Sequence, residues 1–159
     1  MNRAFKYIFS GVILAALLLP LSCGGQSEAP KNSQKDPVSQ ILTGQEFDNI
    51  IKNTRETLIV FDLYADWCGP CRLLAPVYNE LAATHGQKVK FYRVNVDKTP
   101  EVASAFQVRG IPYVVFMRNG ELVHAIAGLN PKETYEKVIT ACGSVGSNDD
   151  CRKNLESTL

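Results

Sequence analysis

Apolar and polar positions alternate along residues 38–142 in a way that predicts strands and helices in turn. Short apolar or alternating runs indicate strands, and apolar residues at helical spacing indicate helices. The predicted order is an edge strand 38–42, helix 45–52, central strand 57–64, helix 68–85, strand 88–96, helix 100–106, strands 113–117 and 122–127, and a last helix from 130–131. This order predicts an α/β domain with a central mixed β-sheet flanked by helices.

Turn and cap residues fix several of these boundaries. Thr43, with Glu46 three residues later, is typical of a helix start, and Gly86 of a helix end. Pro76 lies inside the helix 68–85 and is expected to kink it. Asn119-Gly120 predicts a tight hairpin turn.

Residues 1–22 have the pattern of an export signal. Arg3 and Lys6 precede an apolar run over 7–19, which is short for a transmembrane helix. The following Ser22-Cys23 resembles the lipobox of bacterial lipoproteins, in which the cysteine becomes the lipidated first residue. Pro20 departs from the leucine of that pattern. We predict lipidation at Cys23, the alternatives being an uncleaved anchor or cleavage nearby without lipid.

Residues 23–37 are rich in Gly, Ser, Gln, Pro and charge, which predicts a flexible tether between a membrane and the domain. The same composition would suit a disordered N-terminus without an anchor. Without the signal the chain keeps 15 of its 17 basic residues against 16 acidic ones. This balance argues against nucleic-acid binding and against a polybasic membrane patch.

Two cysteines three residues apart lie where the central strand gives way to a helix. In a first helical turn, the spacing of Cys68 and Cys71 brings both sulfurs to one face, within disulfide-forming reach. Cys68 is expected nearer to solvent and to the helix N-terminus, which favours its thiolate. Pro70 fits a first helical turn because an N–H group there has no partner.

Five marks in register identify a family resemblance. They are Trp67-Cys68-Gly69-Pro70-Cys71, Asp62 six residues before the first cysteine, Pro76, Arg109-Gly110-Ile111-Pro112, and Gly128. Over residues 40–142 the chain resembles thioredoxin. The resemblance implies the thioredoxin fold, attack on substrate disulfides by Cys68 and resolution by Cys71. It also implies that Asp62 is a buried acid that exchanges a proton with Cys71, the alternative being an ordinary strand-end Asp.

The resemblance also implies a substrate surface around the cysteine pair. Pro112 would form a cis bond that presents the Ile111 backbone to substrate and keeps metal out. Trp67 would be a partly exposed lid, the alternative being a core aromatic. The whole implied surface is Trp67, Gly69, Pro70, Ile111, Pro112 and Gly128. Two residues depart from the family: Arg93 replaces the usual Lys near the acid, and Tyr113 replaces a small residue, which would alter substrate choice.

The remaining cysteines lie at the C-terminal end of the domain and beyond it. Cys142 and Cys151 enclose eight residues, and a disulfide between them would pin the tail 143–159. Two separate thiols are the alternative. With both pairs formed, Cys23 is the odd one of five cysteines, which fits its lipidation.

Metal and haem sites are disfavoured by the cysteine pattern. A zinc site needs four ligands and the chain has no second Cys-x-x-Cys, while covalent haem needs a His at position 72, where Arg72 stands. His85 is expected to stabilise the end of its helix, and His124 to lie on the surface.

These observations predict an exported, monomeric, lipid-anchored thiol–disulfide oxidoreductase of the cell envelope. It would reduce protein disulfides and use no cofactor, with a membrane thiol reductase as the electron donor implied by the resemblance. The alternatives are a disulfide oxidase or isomerase, and a thioredoxin-like binding module without turnover. The predicted parts are a signal peptide 1–22, tether 23–37, thioredoxin domain 38–142 and tail 143–159.

Overall fold

A five-stranded mixed sheet organises the part of the chain that the structure describes, which is residues 37–41 and 43–158 of a computed structural model. Its elements are β1 (Val38–Ile41), α1 (Gly44–Asn53), β2 (Leu58–Tyr64), α2 (Gly69–His85), β3 (Val89–Asn95), α3 (Pro100–Ala105), β4 (Tyr113–Arg118), β5 (Glu121–Ala127), α4 (Lys132–Cys142) and α5 (Asn148–Thr158). The predicted signal peptide, Cys23 and residues 24–36 of the tether lie outside the described residues.

The sheet has the strand order β1-β3-β2-β4-β5. β2 runs parallel to β3 and antiparallel to β4, and all seven of its residues are buried. The predicted mixed α/β fold is therefore confirmed. The predicted edge strand is also confirmed, because β1 pairs with β3 alone and lies at one end of the sheet.

Two apolar cores lie on opposite faces of this sheet. Alternate β2 residues such as Val60 and Phe61 belong to different cores, as the twofold repeat of a strand requires. The first core includes apolar residues of α2, α4 and α5, and the second includes residues of α1 and α3. Within the described residues, no helix combines the length and the apolar character that crossing a membrane requires.

Local chemistry explains where the helices begin and end. The Thr43 hydroxyl accepts a hydrogen bond from the Glu46 amide at 3.1 Å, which caps α1. Helix α2 continues through Pro76 as far as His85, and the Gly86 amide donates to the Ala82 carbonyl. At the hairpin, Asn119 and Gly120 both have positive φ angles of 54° and 80°, as a tight two-residue turn requires.

Helix α5 occupies the segment that the sequence predicted only as a tail. The Ser147 hydroxyl accepts a hydrogen bond from the Asp150 amide at 3.1 Å, and Cys151 and Leu155 bury one face of the helix in the first core. A disulfide joins Cys151 to Cys142, and neither residue has any exposed surface. In this structure the two cysteines are therefore paired and are not separate thiols.

A buried arginine fixes the turn between α4 and α5. Arg118, at the end of β4, is 2% exposed and donates from Nη1 to the Cys142 carbonyl at 3.0 Å and from Nη2 to the Val145 carbonyl. These carbonyls lie at or just beyond the C-terminal end of α4, where a positive charge is favourable.

Replacing both Cys142 and Cys151 with Ala should lower the free energy of unfolding by about 2–3 kcal/mol, because the unfolded chain loses a loop constraint. Urea unfolding without reductant measures the change. The single variant Cys23→Ala is the control, since it removes a cysteine but leaves Cys142 and Cys151 in the chain. A double variant as stable as the wild type would show that the bond contributes nothing.

Candidate active site

The Cys68–Cys71 disulfide lies at the N-terminus of α2. The Cα atoms of the two cysteines are 5.3 Å apart, and the chain is in its oxidised state. Cys68 is the N-cap residue, and its Sγ accepts a hydrogen bond from the Cys71 amide at 3.2 Å. In the reduced protein, this amide and the positive end of the helix would stabilise a Cys68 thiolate. The cap position therefore marks Cys68 as the better nucleophile.

Solvent exposure separates the two cysteines less than the sequence suggested. Cys68 is 3% exposed and Cys71 is 1% exposed, so both are buried in the oxidised protein. The difference between them lies in the helix: Cys68 caps it from outside, whereas Cys71 is inside the first turn.

The loop between α3 and β4 completes the cysteine site. The Ile111–Pro112 bond is cis, and the Ile111 carbonyl oxygen lies 3.7 Å from Cys68 Sγ. The Pro112 carbonyl accepts a hydrogen bond from the Gly128 amide at 2.8 Å, and Gly128 has a φ of 76°. The structure thus brings the Ile111 carbonyl close to Cys68 and joins Gly128 to Pro112.

The surface beside the disulfide is apolar and open. Trp67 is 68% exposed, so it is not a core residue, and its Nε1 donates to Asp97 Oδ2 at 2.9 Å. Pro70 is exposed and Gly69 is half-buried. Tyr113 instead packs against the core on the α1/α3 face of the sheet.

Asp62 is a fully buried carboxyl in the middle of β2. Its Oδ2 accepts a hydrogen bond from Arg93 Nε at 2.9 Å, and no described residue donates to its Oδ1. Burial raises the pKa of Asp62 from 3.8 to about 6, although the charge and hydrogen bond of Arg93 act in the opposite direction. Asp62 can therefore gain or release a proton near neutral pH.

A small cavity extends from Cys71 to Arg93, which is the hydrogen-bond partner of Asp62. Its volume is about 210 Å³, and it is lined by Tyr64, Ala65, Asp66, Cys71, Arg72, Ala75 and Arg93. Such a space is large enough for water molecules, and it connects Cys71 with the arginine that binds Asp62.

Two residues near the cysteine site, namely Asp97 and Tyr64, were not identified from the sequence. Asp97 holds the indole of Trp67, and the Tyr64 ring lies under the Arg93 guanidinium, 3.9 Å from its central carbon. The available signal was that Tyr64 ends one predicted strand and Asp97 follows another, because the ends of adjacent parallel strands meet at one edge of a sheet.

The histidines are unlike metal ligands. His85 is in the last turn of α2, and His124 lies in β5 against the Phe116 ring, where burial lowers its pKa. Among residues 37–41 and 43–158, no three His, Cys, Asp or Glu side chains are grouped to hold a metal ion.

Comparison with known proteins identifies the family. Residues 38–141 match the family model Thioredoxin. The chain belongs to the thioredoxin family. The thioredoxin of Listeria monocytogenes is 40% identical over 88 residues, which cover 55% of this chain and 85% of that protein. The chloroplast M-type thioredoxin of Pisum sativum is 36% identical over 100 residues, 63% of this chain but only 58% of the pea protein.

Solved thioredoxin structures agree with this assignment. Thioredoxin of Fasciola hepatica superposes with a TM-score of 0.62 at 33% identity, over 65% of this chain and 98% of that one. A mutant thioredoxin of Halobacterium salinarum gives a TM-score of 0.62 at 30% identity, over 69% of this chain and 94% of that one. Members of the thioredoxin family are disulfide reductases, and Cys68 and Cys71 occupy the position of their active-site pair.

Proposed function

We propose that this member of the thioredoxin family reduces protein disulfides outside the cytoplasm, at a membrane of the cell envelope to which a lipid on Cys23 anchors it. The observation that supports this reaction is the Cys68–Cys71 disulfide. It lies at the N-terminus of α2, where Cys68 is the N-cap residue, beside Ile111 and cis-Pro112. The extracytoplasmic site is supported by the export-signal pattern of residues 1–22. It is also supported by the buried Cys142–Cys151 bond, since structural disulfides are typical of oxidising compartments.

The reaction begins from the reduced pair. The Cys68 thiolate attacks one sulfur of a substrate disulfide, forms a mixed disulfide with it and expels the other sulfur as a thiolate. The Cys71 thiol then gives its proton to ionised Asp62, by way of water in the cavity that reaches Arg93. The Cys71 thiolate attacks Cys68 Sγ, which releases the second substrate sulfur and forms the bond seen in the structure. Two electrons pass to the substrate.

The surface around Cys68 explains how a protein substrate is held. Exposed Trp67 and Pro70 offer apolar contact, and the backbone of Ile111 lies beside the reacting sulfur. A substrate segment is positioned by hydrogen bonds to this backbone. The thiols themselves carry the electrons, so the reaction needs no cofactor. A membrane-embedded thiol reductase would restore the dithiol.

Insulin reduction with a dithiol donor tests turnover, and equilibration with glutathione gives the redox potential of the pair. A potential near −270 mV, on the order of that typical of thioredoxins, supports reduction. A potential near −120 mV, about that of a strong oxidase, would replace the proposal with disulfide donation. Absence of any turnover would favour a binding module without catalysis.

Cys23→Ala should release the protein from the membrane fraction or block its maturation, because the thiol that carries the lipid is gone. Fractionation of cells that express the full chain measures the distribution between membrane and soluble fractions. Ser22→Ala is the matched control, since it keeps a small residue before the cysteine. A wild-type protein that is already soluble would contradict lipidation and point to Pro20 as the departure that prevents it.

A further inference from the structure

Arg93 makes two contacts near the cysteine pair, and the mechanism above uses only one of them. Its guanidinium carbon lies 3.9 Å from the centre of the Tyr64 ring, a distance at which an aromatic face attracts a cation. Its Nε also donates to Asp62, its direct neighbour in the parallel register of β2 and β3. One arginine therefore contacts a ring and a carboxyl that are two residues apart on the same strand.

The pairing between Arg93 and Asp62 uses a single nitrogen. Nε donates to Oδ2, while Oδ1 stays buried and accepts no hydrogen bond from a described residue. Arginine commonly binds a carboxylate through two parallel N–H bonds instead. In this structure the guanidinium lies over the Tyr64 ring. Tyr64 is itself 8% exposed and packs with Ala65, Cys68 and Cys71, so it offers a fixed platform.

We propose that Tyr64 is a positioning residue for disulfide reduction: its ring holds the Arg93 guanidinium so that Nε faces Asp62 and keeps this buried carboxyl ion-paired. The kinetic consequence rests on the proposed function, whereas the charge state of Asp62 does not depend on turnover. An ionised Asp62 is the form that accepts the proton of Cys71. Tyr64 would thus set how much of the protein is ready to release substrate at a given pH.

Among the described residues, Arg93 is the charged group that opposes the effect of burial on the pKa of Asp62. Burial raises the pKa of Asp62 to about 6, and Arg93 is the group that lowers it. Tyr78 on α2 and Tyr135 on α4 also interact electrostatically with Asp62. Burial raises the pKa of both hydroxyls, so both remain neutral in the range where Asp62 titrates.

Tyr64→Leu removes the aromatic face and keeps an apolar side chain, whereas Tyr64→Phe keeps the face and removes the hydroxyl. Carbon-13 NMR titration of the Asp62 carboxyl in the oxidised full chain measures the effect. We expect Tyr64→Leu to raise the pKa of Asp62 by roughly 0.5 to 1 unit, because a guanidinium that the ring no longer holds stabilises the ionised carboxyl less. Tyr64→Phe should leave it at the wild-type value.

Arg93→Lys provides a second test if Tyr64→Leu does not fold. Lysine keeps the positive charge but lacks the planar guanidinium whose Nε faces Asp62 when the ring holds it, so the pKa of Asp62 should again rise. In a folded double variant, Tyr64→Leu should add less to Arg93→Lys than it adds to the wild type, because lysine has no Nε for the ring to orient. An unchanged pKa of Asp62 in Tyr64→Leu or in Arg93→Lys would overturn the proposal, as would a shift in Tyr64→Phe as large as that in Tyr64→Leu.

The same variants distinguish this proposal from the proposed function. If the wild type does not reduce insulin but Tyr64→Leu shifts the titration, the reaction is wrong and the positioning role stands. In an active protein, the pH at which substrate release reaches half of its maximal rate should rise with the pKa of Asp62. A merely structural Tyr64 would lower stability and leave both the titration and the pH profile unchanged.

Discussion

Cys71→Ser should trap substrates as covalent complexes, whereas Cys68→Ser should form none and lose insulin reduction by at least about 10³-fold. The reason is the order of the two attacks. Cys68 caps α2, and its sulfur accepts a hydrogen bond from the Cys71 amide. Cys68 is therefore the cysteine that is placed to form the mixed disulfide. Without Cys71 that intermediate has no internal route to resolution and accumulates.

Non-reducing electrophoresis of tagged protein from cells measures the complexes, which dithiothreitol should separate by reducing the mixed disulfides. The double variant Cys68→Ser/Cys71→Ser is the control for contacts that involve neither thiol. If Cys68→Ser captured partners and Cys71→Ser did not, the two roles would be reversed. Capture by neither variant would argue against the reaction itself.

Asp62→Asn should stabilise the fold at alkaline pH. The folded pKa of Asp62, about 6, lies above its ordinary value of 3.8 because burial disfavours the charge. The protonated carboxyl of Asp62 contributes to the free energy of unfolding. This contribution is fully present below pH 3.8 and is lost as the pH rises through about 6. The neutral amide should therefore raise the free energy of unfolding by about 3 kcal/mol at about pH 8. The gain should disappear below about pH 4.

Urea unfolding of the oxidised proteins from about pH 4 to about pH 8 measures this difference. Asp66→Asn is the matched control, because Asp66 lies two residues after the end of β2 and is exposed. A gain of equal size at both ends of this range would show that Asn stabilises by packing and not by removing a buried charge.

The same variant should slow substrate release near neutral pH, since Cys71 loses its proton acceptor. The first attack by Cys68 should be nearly unchanged. The defect should shrink as the pH rises and Cys71 ionises unaided, which stopped-flow kinetics with a disulfide peptide would resolve. Release rates equal to the wild type at every pH would reduce Asp62 to a structural residue.

The fold was predictable from the sequence because its elements carry local signals. Thr43 caps α1, Gly86 ends α2 and Asn119-Gly120 forms the hairpin turn, each for reasons confined to a few neighbouring residues. The family was predictable because the marks around Cys68 and Cys71 occur in register.

Helix α5 was not predicted, although Ser147 and the acidic residues after it are typical of a helix start. Its apolar face consists mainly of Cys151 and Leu155, too few residues for a clear helical period. The helix depends instead on tertiary contacts: the bond to Cys142 and the buried guanidinium of Arg118. Likewise the Tyr64–Arg93 contact joins two strands, and no spacing along the chain indicates it.

The complete burial of Cys142–Cys151 limits the number of electrons that the described part of the chain can exchange. A donor or substrate thiol cannot reach sulfurs with no exposed surface, so of the two disulfides among the described residues only Cys68–Cys71 exchanges electrons while the domain stays folded. The described part of the protein contains two disulfides but acts as a carrier of two electrons, not four. Cycling at Cys68–Cys71 therefore leaves intact the bond that ties α5 to α4.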